Sequence, residues 1–154
     1  MSTRVLVAID RTGLSQLVLD SLSAQMQPNR TEILLLQVVE PLIFLVPSEM
    51  SPGYAPEMVE RQREMLDEAK SMLSQAAEML RTAGFAVNSR VVEGEIKEGI
   101  ITVAAEWKAD IIVVTSHART GVSKFLHRSV AQDVVRRAPC SVLVLKEVVR
   151  KKAA

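Results

Sequence analysis

Five short runs of aliphatic and β-branched residues recur along the chain, and each adjoins a stretch whose apolar residues follow a helical period. The runs cover residues 5–9, 33–39, 85–92, 111–115 and 142–145. Strands that alternate with helices in this way are typical of a parallel sheet. The third run holds Asn88, Ser89 and Arg90 and is expected at an edge, because the other runs are almost continuously apolar. We therefore predict an α/β three-layer sandwich with a five-stranded parallel sheet, strand order 3-2-1-4-5, and four helices.

Apolar residues at helical spacing predict helices over residues 14–26, 56–83, 95–107 and 129–137. In the second of these, methionines recur at seven-residue intervals, at Met58, Met65, Met72 and Met79. Such a stripe could form a groove for a partner or a hydrophobic ligand. A buried helix face needs the same pattern, however, and we interpret the stripe as core. Trp107 is expected to cap the core at the end of the third helix.

The composition, with 48% hydrophobic and 24% charged residues, is that of an ordinary globular protein. Nineteen Lys and Arg residues oppose eighteen Asp and Glu residues, so the net charge of +1 favours neither nucleic acid nor an anionic membrane as a partner. The apolar runs fall far short of the roughly 20 residues that a transmembrane helix needs. The apolar stretch near the start is also too short for a signal peptide. We predict a cytoplasmic protein that binds neither nucleic acid nor membrane.

Few residues offer catalytic or metal-binding chemistry. Cys140 is the one cysteine and has no adjacent basic residue apart from Arg136 and Arg137, so we interpret it as a buried, inert thiol. His117 and His127 have no carboxylate or nucleophile at a recognisable spacing, and we interpret them as surface residues. The sequence contains no nucleophile elbow, Walker loop or metal-ligand spacing. We predict no metal site, no catalytic residues and no enzymatic activity.

One domain is expected over residues 1–149, followed by a basic tail, residues 150–154, that we expect to be disordered. Residues 40–55, between the second strand and the second helix, hold three prolines and the run Leu-Ile-Phe-Leu-Val at 42–46. This apolar loop is too hydrophobic to be freely solvated. It either folds over the sheet or docks a protein partner, and the sequence leaves both open.

Ligands of open parallel sheets bind beyond the carboxyl ends of the strands, where the strand order reverses. Asp10, at the end of the first strand, and the segment 115–129, after the fourth, are the places where such chemistry is expected. The segment contains no acidic residue and offers Arg119, Lys124 and Arg128 ahead of a helix start. It is either an anion-attracting loop or an ordinary basic surface loop.

The chain carries, in order, VLVAID and LLLQVVE at the first two strands, GEIKEGI at the third helix, ADIIVVTSHARTG at the fourth strand and SVAQDVVRRAPCSVLVL to the end of the fifth. Their order and spacing resemble the universal stress protein family along essentially the whole length. The resemblance implies the sandwich predicted above and, in one branch of the family, ATP bound at the switch-point crevice. It places Asp10 near the ribose or adenine, Val38 beside the base, and Ser129 and Val130 near the phosphates.

The ATP-binding branch is recognised by a glycine, two residues, a second glycine, nine residues, a third glycine and Ser or Thr. Here Thr115, Ala118 and Arg128 occupy the glycine positions, and Ser129 follows. Glycine serves there because a backbone without Cβ approaches phosphate oxygens closely, so the Arg128 side chain either fills that volume or binds a smaller anion. Arg119 belongs to the same degenerate site.

These departures favour a stress-response binding or interaction module with a degenerate nucleotide site and no tightly bound cofactor. The alternative is a regulator that binds ATP or AMP and hydrolyses ATP slowly.

Residues 141–149, which contain the fifth strand, form a proline-free, β-branched segment that the predicted order places at the sheet edge. We predict a homodimer paired antiparallel through this strand, with each Lys146 facing the partner's Glu147. Dimerisation through this strand is also what the family resemblance implies. The alternative is that the tail from residue 150 folds back over the edge. The interface residues would be Val142, Leu143, Val144, Leu145, Lys146 and Val148.

Overall fold

The computed structural model describes residues 1–42, 55–117 and 123–147, with side chains apart from those of residues 55, 117, 123–129 and 147. The elements are β1 (Thr3–Ala8), α1 (Gln16–Gln25), β2 (Thr31–Val39), α2 (Ala55–Thr82), β3 (Ala86–Glu93), α3 (Ile96–Trp107), β4 (Ile111–His117), α4 (Ser123–Arg137) and β5 (Ser141–Glu147). A 3-10 turn, Pro28–Arg30, leads into β2. The strands are parallel and lie in the order β3-β2-β1-β4-β5, which confirms the predicted α/β sandwich and places β3 at an edge.

The sheet separates two hydrophobic cores because successive side chains of a strand point to opposite faces. In β1, Val5 and Val7 enter the core beneath α1 and α2, whereas Leu6 enters the core beneath α3 and α4. All three side chains are buried. Burying an aliphatic side chain of this size contributes about 1.5–3 kcal/mol, so the continuously apolar strands are what hold the three layers together.

Specific residues begin and end the helices. The Ser15 hydroxyl accepts a hydrogen bond from the Val18 amide and caps α1. The Glu95 carboxylate accepts from two amides of the first turn of α3, and Lys108 ends that helix in the left-handed conformation, with φ of 55°. Trp107, at the end of α3, is half-buried and packs against the second core, as predicted.

Two predicted features differ from the structure. Helix α4 begins at Ser123, six residues before the predicted start, because Leu126 already continues the four-residue spacing of Val130 and Val134. The core interpretation of the methionine stripe is wrong for Met79, whose exposed fraction is 41%. Met58, Met65 and Met72 are only half-buried. A seven-residue spacing drifts by about 20° per repeat around a straight helix, so the stripe leaves the buried face. The core face of α2 consists of Ala69, Leu73, Ala76, Ala77 and Leu80.

Helices α3 and α4 are joined by ion pairs on the outside of the second core. Lys97 Nζ lies 2.8 Å from Asp133 Oδ2, and Arg137 pairs with Glu98. The hydrogen bond from Lys97 lowers the pKa of the Asp133 carboxyl, and the same bond raises the pKa of Lys97. These pairs orient α4, which leads from the carboxyl end of β4 back to β5.

Candidate functional site

A crevice of about 540 Å³ opens at the carboxyl ends of β1 and β2. Its volume lies within the roughly 300–1,000 Å³ of small-molecule sites. The walls are the two strand ends, the middle of α2 and the first turns of α3. The described residues that line it are Ala8, Ile9, Asp10, Arg11, Thr12, Leu36, Gln37, Val38, Val39, Glu40, Arg61, Met65, Glu68, Ala69, Met72, Ile96 and Ile100.

Asp10 sits at the mouth of this crevice in a tight turn. Its Oδ1 accepts hydrogen bonds from the Thr12 amide, at 2.8 Å, and from the Thr12 hydroxyl. Its backbone carbonyl accepts from the Gly13 amide at 3.1 Å, and Gly13 has a φ of +82°, which glycine adopts without steric cost. The turn therefore holds a carboxylate, an acceptor of two donors such as vicinal hydroxyls, beside the strand end.

Val38 lines the opposite part of the crevice, and its position depends on Gly99 of α3. A Cβ atom built on Gly99 would lie 2.8 and 2.9 Å from the two γ carbons of Val38. No side chain fits at that distance, so glycine lets α3 approach the end of β2 closely. This close approach brings Ile96 and Ile100 into the wall of the crevice.

Gln37 is a functional candidate that the sequence reasoning missed. Its side chain is 6% exposed and lines the crevice, and its Oε1 has no hydrogen-bond partner among the residues that the structure describes. The signal was present as a lone polar residue inside the apolar run of β2. A polar residue there interrupts a strand that is otherwise buried on both faces, which is unusual without a partner.

Charges at the rim are mixed. Arg61 Nη1 lies 2.9 Å from Glu64 Oε2 and 3.9 Å from Glu68 Oε1. The hydrogen bond to Glu64 raises the pKa of Arg61, so this arginine stays charged and its charge is largely balanced. Asp10, Arg11 and Glu40 are the other charged residues among the described ones that line the crevice. The α2 side of the crevice thus offers no concentrated positive field for a triphosphate.

Of the remaining predicted site residues, Thr115 and Val130 have side chains that the structure describes. Thr115 is in β4, opposite Leu145 of β5, and Val130 is a half-buried residue of α4 that packs against the second core. Arg128 and Ser129 are in α4, but their side chains lie outside the described ones, and Ala118 and Arg119 lie outside the described residues. Asp10 and Val38 are the two predicted residues that the structure brings into one crevice.

Cys140 is half-buried beside the start of β5. Burial, and next the nearby charge of Asp110, raise the pKa of its thiol, which disfavours the reactive thiolate. Within residues 1–42, 55–117 and 123–147, no three His, Cys, Asp or Glu side chains are grouped as a metal site requires. No described helix is both long and apolar enough to cross a membrane.

Comparison with known proteins relates the chain to one family. A sequence model of the universal stress protein family matches residues 1–146. A universal stress protein of Methanocaldococcus jannaschii, MJ0531, is 36% identical over 64 residues, which are 42% of this chain and 38% of that protein. The chain therefore spans less than half of that relative's length in the aligned region.

Solved structures share the fold over nearly the whole chain. The structure of hypothetical protein MJ0577, also from Methanocaldococcus jannaschii, superposes with a TM-score of 0.77 at 24% identity, covering 97% of this chain and 99% of that one. A universal stress protein from Archaeoglobus fulgidus, solved in complex with dAMP, superposes with a TM-score of 0.63 at 22% identity, covering 94% and 98%. At these identities the likeness concerns the fold.

Proposed function

Because the chain belongs to the universal stress protein family, we propose that it is a binding protein whose crevice takes an adenine nucleotide with a single phosphate. The observation that carries this proposal is the crevice of about 540 Å³ at the carboxyl ends of β1 and β2, lined by both Asp10 and Val38. Carboxyl ends of strands in open α/β sheets are where such ligands bind. A relative of the same fold holds dAMP.

The nucleoside is assigned to the described crevice. The Asp10 carboxylate accepts hydrogen bonds from ribose hydroxyls, and the apolar wall formed by Val38, Ile96 and Ile100 covers a face of the base. Burial of a flat aromatic base against aliphatic side chains supplies most of the affinity, and the carboxylate fixes the orientation.

The phosphate side is where this chain departs from ATP-binding relatives. Thr115, Ala118 and Arg128 stand where three glycines serve the phosphates, and Ser129 keeps the hydroxyl. Added side chains keep the backbone amides away from a β- or γ-phosphate, while the Arg128 guanidinium suits one small anionic group. We therefore propose that ATP binds weakly and is not hydrolysed at an appreciable rate. Arg119 contributes positive charge to this loop.

Calorimetric titration of the purified protein with AMP, ADP and ATP tests the proposal, together with analysis of nucleotide released by heating. AMP should bind at least tenfold more tightly than ATP, about 1.4 kcal/mol. Asp10→Ala should weaken AMP binding. Asp20→Ala, which changes an exposed aspartate of α1, is the matched control and should not. Stoichiometric bound ATP or ADP, or steady release of phosphate from ATP, would contradict the proposal.

Introducing glycine at the three family positions tests separately whether these side chains weaken phosphate binding. The triple variant Thr115→Gly, Ala118→Gly and Arg128→Gly should raise ATP affinity at least tenfold, about 1.4 kcal/mol. AMP affinity should change much less because its nucleoside contacts remain. If the triple variant binds ATP no better than the parent protein, occlusion by these side chains is the wrong explanation.

We also propose a homodimer paired through the outer edge of β5. This strand ends the described sheet, and Val142, Leu143 and Val144 are only half-buried. Lys146 is exposed near its end, while Leu145 points into the first core. An unpaired strand edge with apolar side chains invites a second strand. Val148, the outermost residue of the predicted interface, lies outside the described residues.

Light scattering at about 100 μM protein measures the oligomeric state, at a concentration where dimers with an interface of ordinary size persist. Val144→Pro should dissociate the dimer because proline deletes a donor and its ring obstructs pairing. Ser89→Pro, in the opposite edge strand β3, is the matched control and should leave the mass unchanged. A monomeric parent protein would end the proposal.

The apolar loop at 42–46 stays a predicted protein-docking segment, and residues 43–46 of it lie outside the described residues.

A further inference from the structure

Gln37 lines the crevice, and its Oε1 atom is a buried acceptor without a hydrogen-bond partner among the described residues. Gln37 and Thr31 are the buried polar residues of the described chain, at 6% and 5% exposure, and both belong to β2. The Thr31 hydroxyl donates to the Gln27 carbonyl at 2.8 Å. The buried Thr31 hydroxyl thus has a hydrogen-bond partner, whereas the buried Gln37 oxygen lacks the partner that buried polar atoms normally have.

The surroundings of Gln37 explain why the protein supplies no donor. Alternation along β2 places its side chain on the face of Ile33 and Leu35, beneath α2. Val91 is its neighbour in β3, and Ile9 follows the residue of β1 that pairs with the preceding position. Apolar neighbours on both sides cannot satisfy an amide oxygen. Gln37 lines the crevice together with Met65, Ala69 and Met72 of α2.

Two donors that line the crevice have other partners. The Thr12 hydroxyl donates to Asp10, and Arg61 Nη1 donates to Glu64. A buried acceptor that the fold leaves unsatisfied destabilises the protein, and such groups are retained where a ligand uses them. The missing donor is thus expected on the ligand.

We infer that Gln37 selects the base of the bound nucleotide by accepting a hydrogen bond from the exocyclic amino group of a 6-aminopurine. This inference rests on the proposed nucleotide-binding function and assigns its base specificity to one side chain. Strands about 4.8 Å apart with a one-residue offset place the Cα atoms of Asp10 and Gln37 roughly 6 Å from each other. A nucleoside can span these two acceptors, with its ribose hydroxyls at Asp10 and its amino group at Gln37.

The experiment compares two ligands that differ in the amino group alone. AMP and purine riboside 5′-monophosphate, which has hydrogen in place of the 6-amino group, are titrated into the full-length parent protein by calorimetry. The parent protein should prefer AMP at least tenfold, because the ligand without the amino group buries the acceptor unsatisfied. In Gln37→Met, which keeps the length of the side chain and removes the oxygen, the preference should fall to less than about threefold.

Thermal unfolding of the same ligand-free variants gives an independent readout. Gln37→Met should melt about 3 °C above the parent protein, because the unsatisfied acceptor is gone. Thr31→Val is the matched control, a buried polar residue of the same strand whose hydroxyl is satisfied. It should not raise the melting temperature, and it should keep the preference for AMP.

Each outcome bears on the inference. A Gln37→Met protein that still prefers AMP at least tenfold overturns it, and so does a parent protein that binds both nucleotides equally. In either case the proposed nucleotide binding stands. A parent protein that binds neither nucleotide contradicts the proposed function, and the inference falls with it. Should Gln37→Met fail to fold, Gln37→Leu carries the same comparison.

Discussion

Replacing Gly99 by alanine tests whether the close approach of α3 to β2 shapes the crevice. In an ordinary exposed helix position this change stabilises the protein by about 1 kcal/mol, because glycine has more backbone entropy to lose. Here the added Cβ meets the Val38 γ carbons at 2.8 and 2.9 Å, about 0.6 Å short of ordinary van der Waals contact at 3.4 Å. Two opposing effects therefore act on the same substitution.

We expect the steric conflict with Val38 to outweigh the gain in helix propensity. Val38 is β-branched, so its χ1 is stiff and the side chain cannot rotate away cheaply. Overpacking of this kind costs about 1–3 kcal/mol, which exceeds the gain in helix propensity. We expect Gly99→Ala to lower the free energy of unfolding by about 1 kcal/mol. Displacement of Val38 or of α3 should also change the crevice wall and weaken AMP binding.

Urea unfolding followed by circular dichroism measures the free energy, with Thr102→Ala as the control on the exposed side of α3. Thr102→Ala should be neutral or slightly stabilising. In the double variant Gly99→Ala, Val38→Ala, the losses should be less than additive by at least 0.5 kcal/mol, because the smaller side chain relieves the contact. A Gly99→Ala protein that is about 1 kcal/mol more stable than the parent protein would refute the reasoning.

Three further predictions concern stability and reactivity. Ser15→Ala should destabilise the protein by about 1 kcal/mol in urea unfolding, because the Val18 amide loses its cap; an unchanged midpoint would contradict the assigned bond. Cys140, whose thiol pKa is raised by burial, should react with iodoacetamide at pH 8 more slowly in the folded protein than in urea, and equal rates would show an accessible thiolate. Asp133→Asn should lower stability at neutral pH. Because Lys97 depresses the folded pKa of this carboxyl, the difference from the parent protein should vanish as the pH falls through that value, and a difference that persists at pH 2 would point to packing instead.

The sequence alone determined the architecture. Five apolar runs separated by helical periods specify a parallel sheet because both faces of each inner strand must be covered. The polar residues Asn88, Ser89 and Arg90 placed β3 at an edge, where the structure has it. Glycines and prolines beside the helical segments marked most helix boundaries to within one or two residues. These signals are local, so they can be interpreted without knowing the partner of any element.

Features that depend on how elements meet could not be predicted in this way. The methionine stripe has a helical period, but only the packing of α2 on the sheet showed that the stripe lies beside the buried face. A period identifies a face of a helix, whereas its burial depends on the surface against which it packs.

The crevice shows the same division. Asp10 was predicted from its place at the end of the first strand, since ligands bind beyond the carboxyl ends of parallel strands, whereas Val38 was predicted from the family resemblance. Gln37 and Gly99 acquire their importance only in three dimensions. Gln37 looks like a single polar residue in an apolar strand, and only the structure shows that its buried oxygen has no partner among the described residues and that the residue lines the crevice. Gly99 looks like an ordinary helix glycine in the sequence. Only the structure shows that Val38, which is distant in sequence, lies against it.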